Sequence, residues 1–297
     1  EDIRPCIHCN VCVSKIYVNE RLACAVNSDV GTVPSELKPI TANNKTVVVI
    51  GGGPSGMEVA RLAAEKGHSV TLFEKSAQLG GTAFLAGLVY PPIIDFVGFL
   101  KQEMIKHSID LKLNCEFDQN SLNTLKPDHI FIATGAKRQA PRVEGVDQRD
   151  VFSGDELQRI MAGDAALARK KVSPFQRLMM LSGRLIGIMK SAKMLNKLSH
   201  LWLPLGKRVV IVGEGLVALE LAEFLVDRRR EVTVVGETSE WGSELALIRR
   251  WRMLHELREH QVKLIGNAIL RKIENGAVYF EGEQQKQLSF EADSVVI

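Results

Sequence analysis

Two copies of one pattern govern what this chain can fold into. TVVVIGGGPSGMEVARLAAEKGHSVTLFEK starts at Thr46, and GKRVVIVGEGLVALELAEFLVDRRREVTVVGETSE starts at Gly206. Each copy is a β-branched run, a glycine-rich turn, an Ala/Leu-rich segment of helical period and a second β-branched run. Such an order reads as strand, helix, strand. Parallel strands joined by a helix need a right-handed crossover, and the helices then cover the sheet. An α/β fold with two parallel sheets is the expectation.

The first turn is Gly51-x-Gly53-x-x-Gly56, the spacing of a Rossmann dinucleotide fingerprint. Gly51 supplies the tight turn, Gly53 lets backbone approach a pyrophosphate, and Gly56 lets helix and strand pack closely. The helix N-terminus then faces the anion. Glu74 ends the second strand, twenty-one residues beyond Gly53, where a carboxylate accepts ribose hydroxyls. In the second copy the triplet is Gly213, Gly215 and Ala218, the alanine being small enough for close packing. Its acid is displaced: Gly236 stands where Glu74 stood, and Glu237 follows one residue later. No Arg or Lys follows in ETSEWGSEL to hold a 2′-phosphate, so NADH is favoured over NADPH. Between the copies, DHIFIATGA runs an apolar strand into Ala133, Thr134 and Gly135, at the strand end where parallel sheets place ligands.

Four of the five cysteines open the chain in a C-x2-C-x2-C-x11-C array: Cys6, Cys9, Cys12 and Cys24. Three thiolates in one tight loop and a fourth returning from farther on suit a four-iron cluster. Structural zinc, which more often uses two separated C-x2-C knuckles, and unligated thiols are the alternatives. Clustering of this kind is metal usage in a reducing compartment rather than a disulfide framework, so a cytoplasmic location is expected. Arg4, His8 and Asn27 are candidate donors to the cluster or its ligands, with a solvent-facing His8 as the plainer reading. Cys115, in the alternating stretch LKLNCEFD, reads as a small buried strand residue.

Among 297 residues, 45% are hydrophobic, 25% are charged, and the net charge is only +3, which gives no charge-based case for nucleic acid. No run of eighteen apolar residues spans a membrane, and no leader segment is evident. The first residue is Glu1 and the last residues are an apolar ADSVVI, so a piece of a longer chain is expected. The divisions expected are 1–40 for the cysteine segment and its Pro-containing linker, 41–160 for an FAD- or ADP-binding domain, 161–205 for a helical insertion, and 206–297 for an NAD(P)-binding domain. From Ala165 to Arg208 there are ten basic residues and no acid; subtracting ten from the net +3 leaves −7 elsewhere. Apolar residues recur there at helical spacing, as at Leu178, Leu181, Leu185, Ile188 and Met189. Such a segment suits a membrane surface, an acidic partner or an anionic acyl-CoA; a helical lid packed on its own protein is the bland reading.

CIHCNVC…C, then VVVIGGGPSG…LFEK…LGGT, then IFIATGA, then a second glycine fingerprint, together resemble the C-terminal half of a family of iron–sulfur flavoenzymes. That family includes 2,4-dienoyl-CoA reductase, trimethylamine dehydrogenase and related old-yellow-enzyme-like NADH:flavin oxidoreductases. The resemblance implies two incomplete Rossmann-like FAD/NAD(P)-binding domains behind a small iron–sulfur loop, and an upstream (β/α)8 barrel holding FMN. It implies that Cys6, Cys9, Cys12 and Cys24 ligate a 4Fe-4S cluster. Gly51, Gly53, Ser55, Gly56, Glu74, Lys75, Gly81, Thr82 and Thr134 would contact FAD, and Gly213, Gly215 and Ala218 a nucleotide pyrophosphate, with Glu237 nearby. No side chain here is expected to be a catalytic acid or base, because the cofactors carry the chemistry. The implied route takes hydride from NADH to FAD and single electrons through the cluster to FMN, which reduces an enoyl-type double bond. A homo-oligomer is expected. The sequence departs from the family at His8, more usually Gly, and at Thr82, often Gln. Its tight second cysteine gap looks more like the amine dehydrogenases, in which the first site holds ADP and electrons leave to a carrier protein. A non-catalytic zinc- and nucleotide-binding module is the remaining reading.

Overall fold

A computed structural model describes residues 3–32, 44–136, 141–161, 165–172 and 192–297. Most of the expected linker and the helical spacing from Leu178 to Met189 lie outside the described residues. The chain divides into two compact units, Glu1–Lys137 and Arg138–Ile297.

In the first unit α1 (Val11–Tyr17) follows the leading cysteines. Then come β1 (Thr46–Ile50), α2 (Pro54–Glu65), β2 (Ser69–Glu74), α3 (Gly81–Val89), α4 (Pro92–Lys106), β3 (Asp110–Leu113), α5 (Gln119–Leu125) and β4 (His129–Ile132). The sheet order is β3-β2-β1-β4, every pair parallel. Val47 aligns with Val70 and Val49 with Leu72, so one face of the sheet offers aliphatic side chains to the helices. Val47, Val49, Leu72, Met57 and Ala60 of α2, and Leu100 and Met104 of α4 are all buried in one cluster. Each large side chain there contributes about 1.5–3 kcal/mol. Pro54 at the first helical position of α2 fits because its missing N–H would have no partner within the helix. The side chain of Asp118 caps α5 by accepting the Ser121 N–H at 2.8 Å. The edge strand β4 is apolar, yet Ile130, Phe131 and Ile132 are all exposed.

The second unit begins earlier than residue 161, because β5 (Val151–Phe152) pairs in parallel with β12 (Ser294–Val296). Its remaining elements are α6 (Gly154–Met161), α7 (Ala165–Lys171), α8 (Ala192–Ser199), β6 (Arg208–Val212), α9 (Leu216–Val226), β7 (Glu231–Val235), α10 (Leu247–Glu259), β8 (Lys263–Ile265), β9 (Ile269–Glu274), β10 (Ala277–Glu281) and β11 (Gln287–Glu291). The parallel sheet runs β5-β12-β6-β7-β8, so the ADSVVI run supplies an inner strand. An antiparallel sheet, β11-β10-β9, packs Ile273, Val278 and Phe280 into the same core as Val210, Val235 and Val295. Asn275 and Gly276, both at positive φ, form the two-residue turn between β9 and β10.

Part of the basic segment is structural. Lys171 is buried and donates to the carbonyls of Gln148 and Val151 at 2.8 and 2.6 Å. Lys207 pairs with Glu231, and Arg208 with Asp293 and Glu291. Arg228, buried under α8, donates to Ser199 Oγ at 2.7 Å and to the Phe224 carbonyl at 2.8 Å, its guanidinium 3.4 Å from the Phe224 ring centre. Burial pushes its pKa down to about 10, which keeps it charged at neutral pH.

Candidate functional site

The first site forms where β1, β2 and β4 end. Gly51 has φ 111, and its N–H donates to the Phe73 carbonyl at 2.8 Å. A side chain on Gly51 would strike Ala133, whose carbonyl carbon lies 2.7 Å from the Cβ position, with the Thr134 nitrogen at 3.2 Å. Only glycine meets both demands. A Cβ on Gly56 would meet the Gly51 carbonyl, so helix and turn touch there. At Gly53 a Cβ would meet nothing within 4 Å, which leaves the start of α2 open to an incoming anion. The LGGT turn closes one side: the Gly80 N–H donates to the Gly52 carbonyl at 2.8 Å, and a Cβ on Gly81 would lie 3.1 Å from the Gly53 Cα. Ser55, Lys75, Thr82 and Thr134 are exposed around it.

Glu74 is buried beneath this turn. One carboxylate oxygen accepts the Gly52 N–H at 2.7 Å; the other accepts the Ser76 N–H and hydroxyl, each at 2.7 Å. The structure therefore brings Gly51, Gly53, Gly56, Glu74, Gly81 and Thr134 to one place. Open turn, helix start and buried carboxylate together fit a dinucleotide.

The cysteine segment packs against the same unit. Ile7 and Val26, which flank its ligand positions, rest on the core that contains Met57 and Leu100. Arg4 donates to the Val26 carbonyl at 2.6 Å and to Glu58 of α2 at 3.0 Å, and its guanidinium lies 5.1 Å from the centre of the Phe99 ring of α4. Arg4 is thus a strap between both ends of the loop and the fingerprint helix. Burial opposes ionisation of Glu58, but hydrogen bonds from Arg61 and Arg4 hold its carboxyl below the usual range. The backbone N–H of His8, not its ring, meets a cysteine: it donates to Cys6 Sγ at 3.3 Å. His8 and Asn10 have φ 53 and 59, the left-handed conformation glycine adopts without strain. Asn27 caps its own turn by accepting the Asp29 N–H at 3.2 Å. No disulfide joins any of the five cysteines. Soft thiols on a left-handed loop with an N–H aimed at sulfur fit a thiolate-bound cluster. Cys115 is half-buried and lies just past β3 rather than within a strand.

The second site has the same backbone and different side chains. Gly213 has φ 139, its N–H donates to the Val235 carbonyl at 2.8 Å, and a Cβ there would lie 3.6 Å from the buried Ala218 Cβ. That distance is ordinary contact, so at Gly213 the positive φ, not crowding, calls for glycine. Glu237 is exposed, and its N–H donates to Glu214 Oε2 at 3.2 Å. Glu244 lies at the start of α9: its Oε1 accepts the Leu216 N–H and lies 2.5 Å from where a Gly215 Cβ would be. The Gly242 N–H donates to the Glu214 carbonyl at 2.8 Å and holds this loop in place.

A profile of the family described as pyridine nucleotide-disulphide oxidoreductase matches residues 26–119 and 45–297. The chain belongs to this family. Pyridine nucleotide-disulphide oxidoreductase domains are Rossmann-like and bind FAD and NAD(P), in agreement with the mixed α/β fold and parallel sheets. The chain is 28% identical over 302 residues to an NADH oxidase of Thermoanaerobacter brockii, covering 100% of this chain and 41% of that protein. It is 30% identical over 300 residues to a bilirubin reductase of Mediterraneibacter gnavus, covering 99% of this chain and 40% of that protein. Among solved structures, a 2-naphthoyl-CoA reductase complex matches with TM-score 0.75 and 28% identity over 98% of this chain and 39% of the other. The chain thus spans about two fifths of the length of these relatives. No described helix is long and apolar enough to cross a membrane.

Sequence reasoning missed Glu214 and Glu244. Glu214 is visible only as a charged residue between two fingerprint glycines. Glu244 meets Leu216 across a gap of 28 residues, for which no short motif exists.

Proposed function

We propose that this chain is the electron-transfer portion of an NADH:flavin oxidoreductase. FAD occupies the first site, NADH docks at the second, and Cys6, Cys9, Cys12 and Cys24 hold a 4Fe-4S cluster. These groups would supply hydride transfer from NADH to FAD and single-electron transfer through the cluster toward FMN in an upstream barrel of the same parent chain, where an enoyl-type double bond would be reduced. The observation that carries the reading is the convergence of the open Gly53 turn, buried Glu74 and the Gly81 turn, with the cysteine segment strapped to the same helix by Arg4.

The protein's own residues do four things. The turns and the N-termini of α2 and α9 bind the two pyrophosphates. Glu74 orients the FAD ribose. Arg4 and the apolar contacts of Ile7 and Val26 fix the cysteine loop against α2, which keeps the electron path short. Glu244 is an internal anion at the α9 N-terminus, and it moves aside when a nucleotide pyrophosphate arrives.

Cofactor release by denaturing the intact protein tests this. FAD with iron and acid-labile sulfide is the expected result. ADP without FAD points to the amine-dehydrogenase reading, and zinc without iron to a non-catalytic module. The basic segment 165–208 is proposed to meet an acyl-CoA or a membrane surface. Replacing its exposed Arg169, Lys170 and Lys197 by Gln should weaken acyl-CoA binding or vesicle binding, and no change in either removes that role.

A further inference from the structure

The two sites exchange an acid and a glycine. In the first, Gly52 lies in the turn and Glu74 at the strand end; in the second, Glu214 lies in the turn and Gly236 at the strand end. Both strand-end residues stand twenty-one positions beyond the middle fingerprint glycine, Gly53 or Gly215. The packing is reciprocal. A Cβ on Gly52 would lie 3.1 Å from Glu74 Cβ and 3.0 Å from its Oε2. A Cβ on Gly236 would lie 2.8 Å from Glu214 Cβ and 3.0 Å from its Oε2. In each site turn and strand end lie too close for a side chain on both, with Leu79 crowding Gly52 and the Thr238 carbonyl crowding Gly236 as well, and in each the one side chain present is a glutamate. The carboxylates bridge in opposite senses: Glu74 reaches from strand to turn and accepts the Gly52 N–H, whereas Glu214 reaches from turn to strand and accepts the Glu237 N–H.

We infer that Glu214, not Glu237, is the residue that selects the nucleotide in the second site. Its carboxylate accepts the adenosine ribose hydroxyls of NADH and repels the 2′-phosphate of NADPH. Glu237 contributes its backbone N–H to hold Glu214. The inference rests on the reading of the second fingerprint as the NADH site.

The test titrates the intact, flavin-containing protein with NADH and with NADPH. Variants are Glu214→Gln, Glu237→Gln, and the double exchange Glu214→Gly with Gly236→Glu, which rebuilds the first-site arrangement. Glu214→Gln should lower the NADH-over-NADPH preference about tenfold, the order expected from losing one hydrogen bond to a charged acceptor. Glu237→Gln should change that preference less than twofold, and the double exchange should restore it. A purely structural Glu214 would weaken both nucleotides equally, and an unchanged ratio in Glu214→Gln would overturn the inference. So would a ratio that follows Glu237. If the native protein binds neither nucleotide, the assignment of the second site fails as well. Flavin content of each variant reports whether the fold survived.

Discussion

At the first glycine turn the helix opens on Pro54, which has no N–H to satisfy; at the second it opens on Leu216, whose N–H is taken by Glu244. The first turn is open at Gly53, while the second has a carboxylate 2.5 Å from the Cβ position of Gly215. At the third fingerprint position the first turn leaves no room beyond glycine, and the second accepts Ala218. The spacing of glycines therefore constrains the backbone in both halves. Whether a site stands ready for an anion or is already filled by one depends on residues outside the motif.

Breaking the turns should give the largest effects and an unequal pair. Gly51→Ala combines a positive φ with collision against the Ala133 carbonyl, and should cost about 4 kcal/mol. Gly213→Ala meets only the φ penalty, about 2 kcal/mol. Urea unfolding of the two variants checks the difference. Next in size, Glu74→Ala leaves the buried Gly52 N–H and the Ser76 N–H without an acceptor, an expected loss of about 2–3 kcal/mol, and flavin should be lost on gel filtration.

Glu244→Gln should do the reverse of a binding-site mutation. With the internal anion neutralised, NADH should bind about fivefold more tightly by fluorescence titration, with flavin affinity unchanged. Weaker binding would mean that Glu244 shapes the site rather than competing for it.

The smallest effects are two opposite pH slopes. Glu58, held below the usual range in the first unit, adds stability above its unfolded pKa and loses it as pH falls through the lower folded value. Glu223, on α9 in the second unit, is pushed up to about 7 by burial first and then by its hydrogen bond with Glu256, despite Arg249 at 3.2 Å. Its contribution is complete below its unfolded pKa and lost as pH rises through about 7. Glu223→Gln should therefore stabilise the protein at pH 8 by about 1 kcal/mol and not at pH 4, whereas Glu58→Gln should destabilise it at pH 7. Thermal melts across this range check both signs.

The first site was legible because each of its requirements is local: a turn at Gly51, an open Gly53, a tight Gly56 and an acid at a fixed distance down the chain. The second acid was not, because the exchange of Glu214 for Gly236 shows only when turn and strand end are brought together. The hairpin at Asn275–Gly276 was written in the sequence as a two-residue turn between alternating runs, and the antiparallel sheet it starts was nevertheless absent from the sequence reading. His8 explains itself only in three dimensions, since its positive φ is a conformation that suits the glycine implied there by the family resemblance. Charge counting also overstated the free cations of the basic segment, for Lys171, Lys207 and Arg208 are engaged by their own unit.

The proposed flow of electrons runs from a nucleotide at the Glu214 site into a flavin at the Glu74 site and on to the cysteine loop. Anaerobic titration of the intact protein with NADH, followed by visible absorbance and by electron paramagnetic resonance, tests it most directly. Stoichiometric bleaching of the flavin, with a reduced-cluster signal that disappears in Cys12→Ser, is the predicted result. A flavin that NADH leaves oxidised, in protein shown to contain FAD and iron, would contradict it.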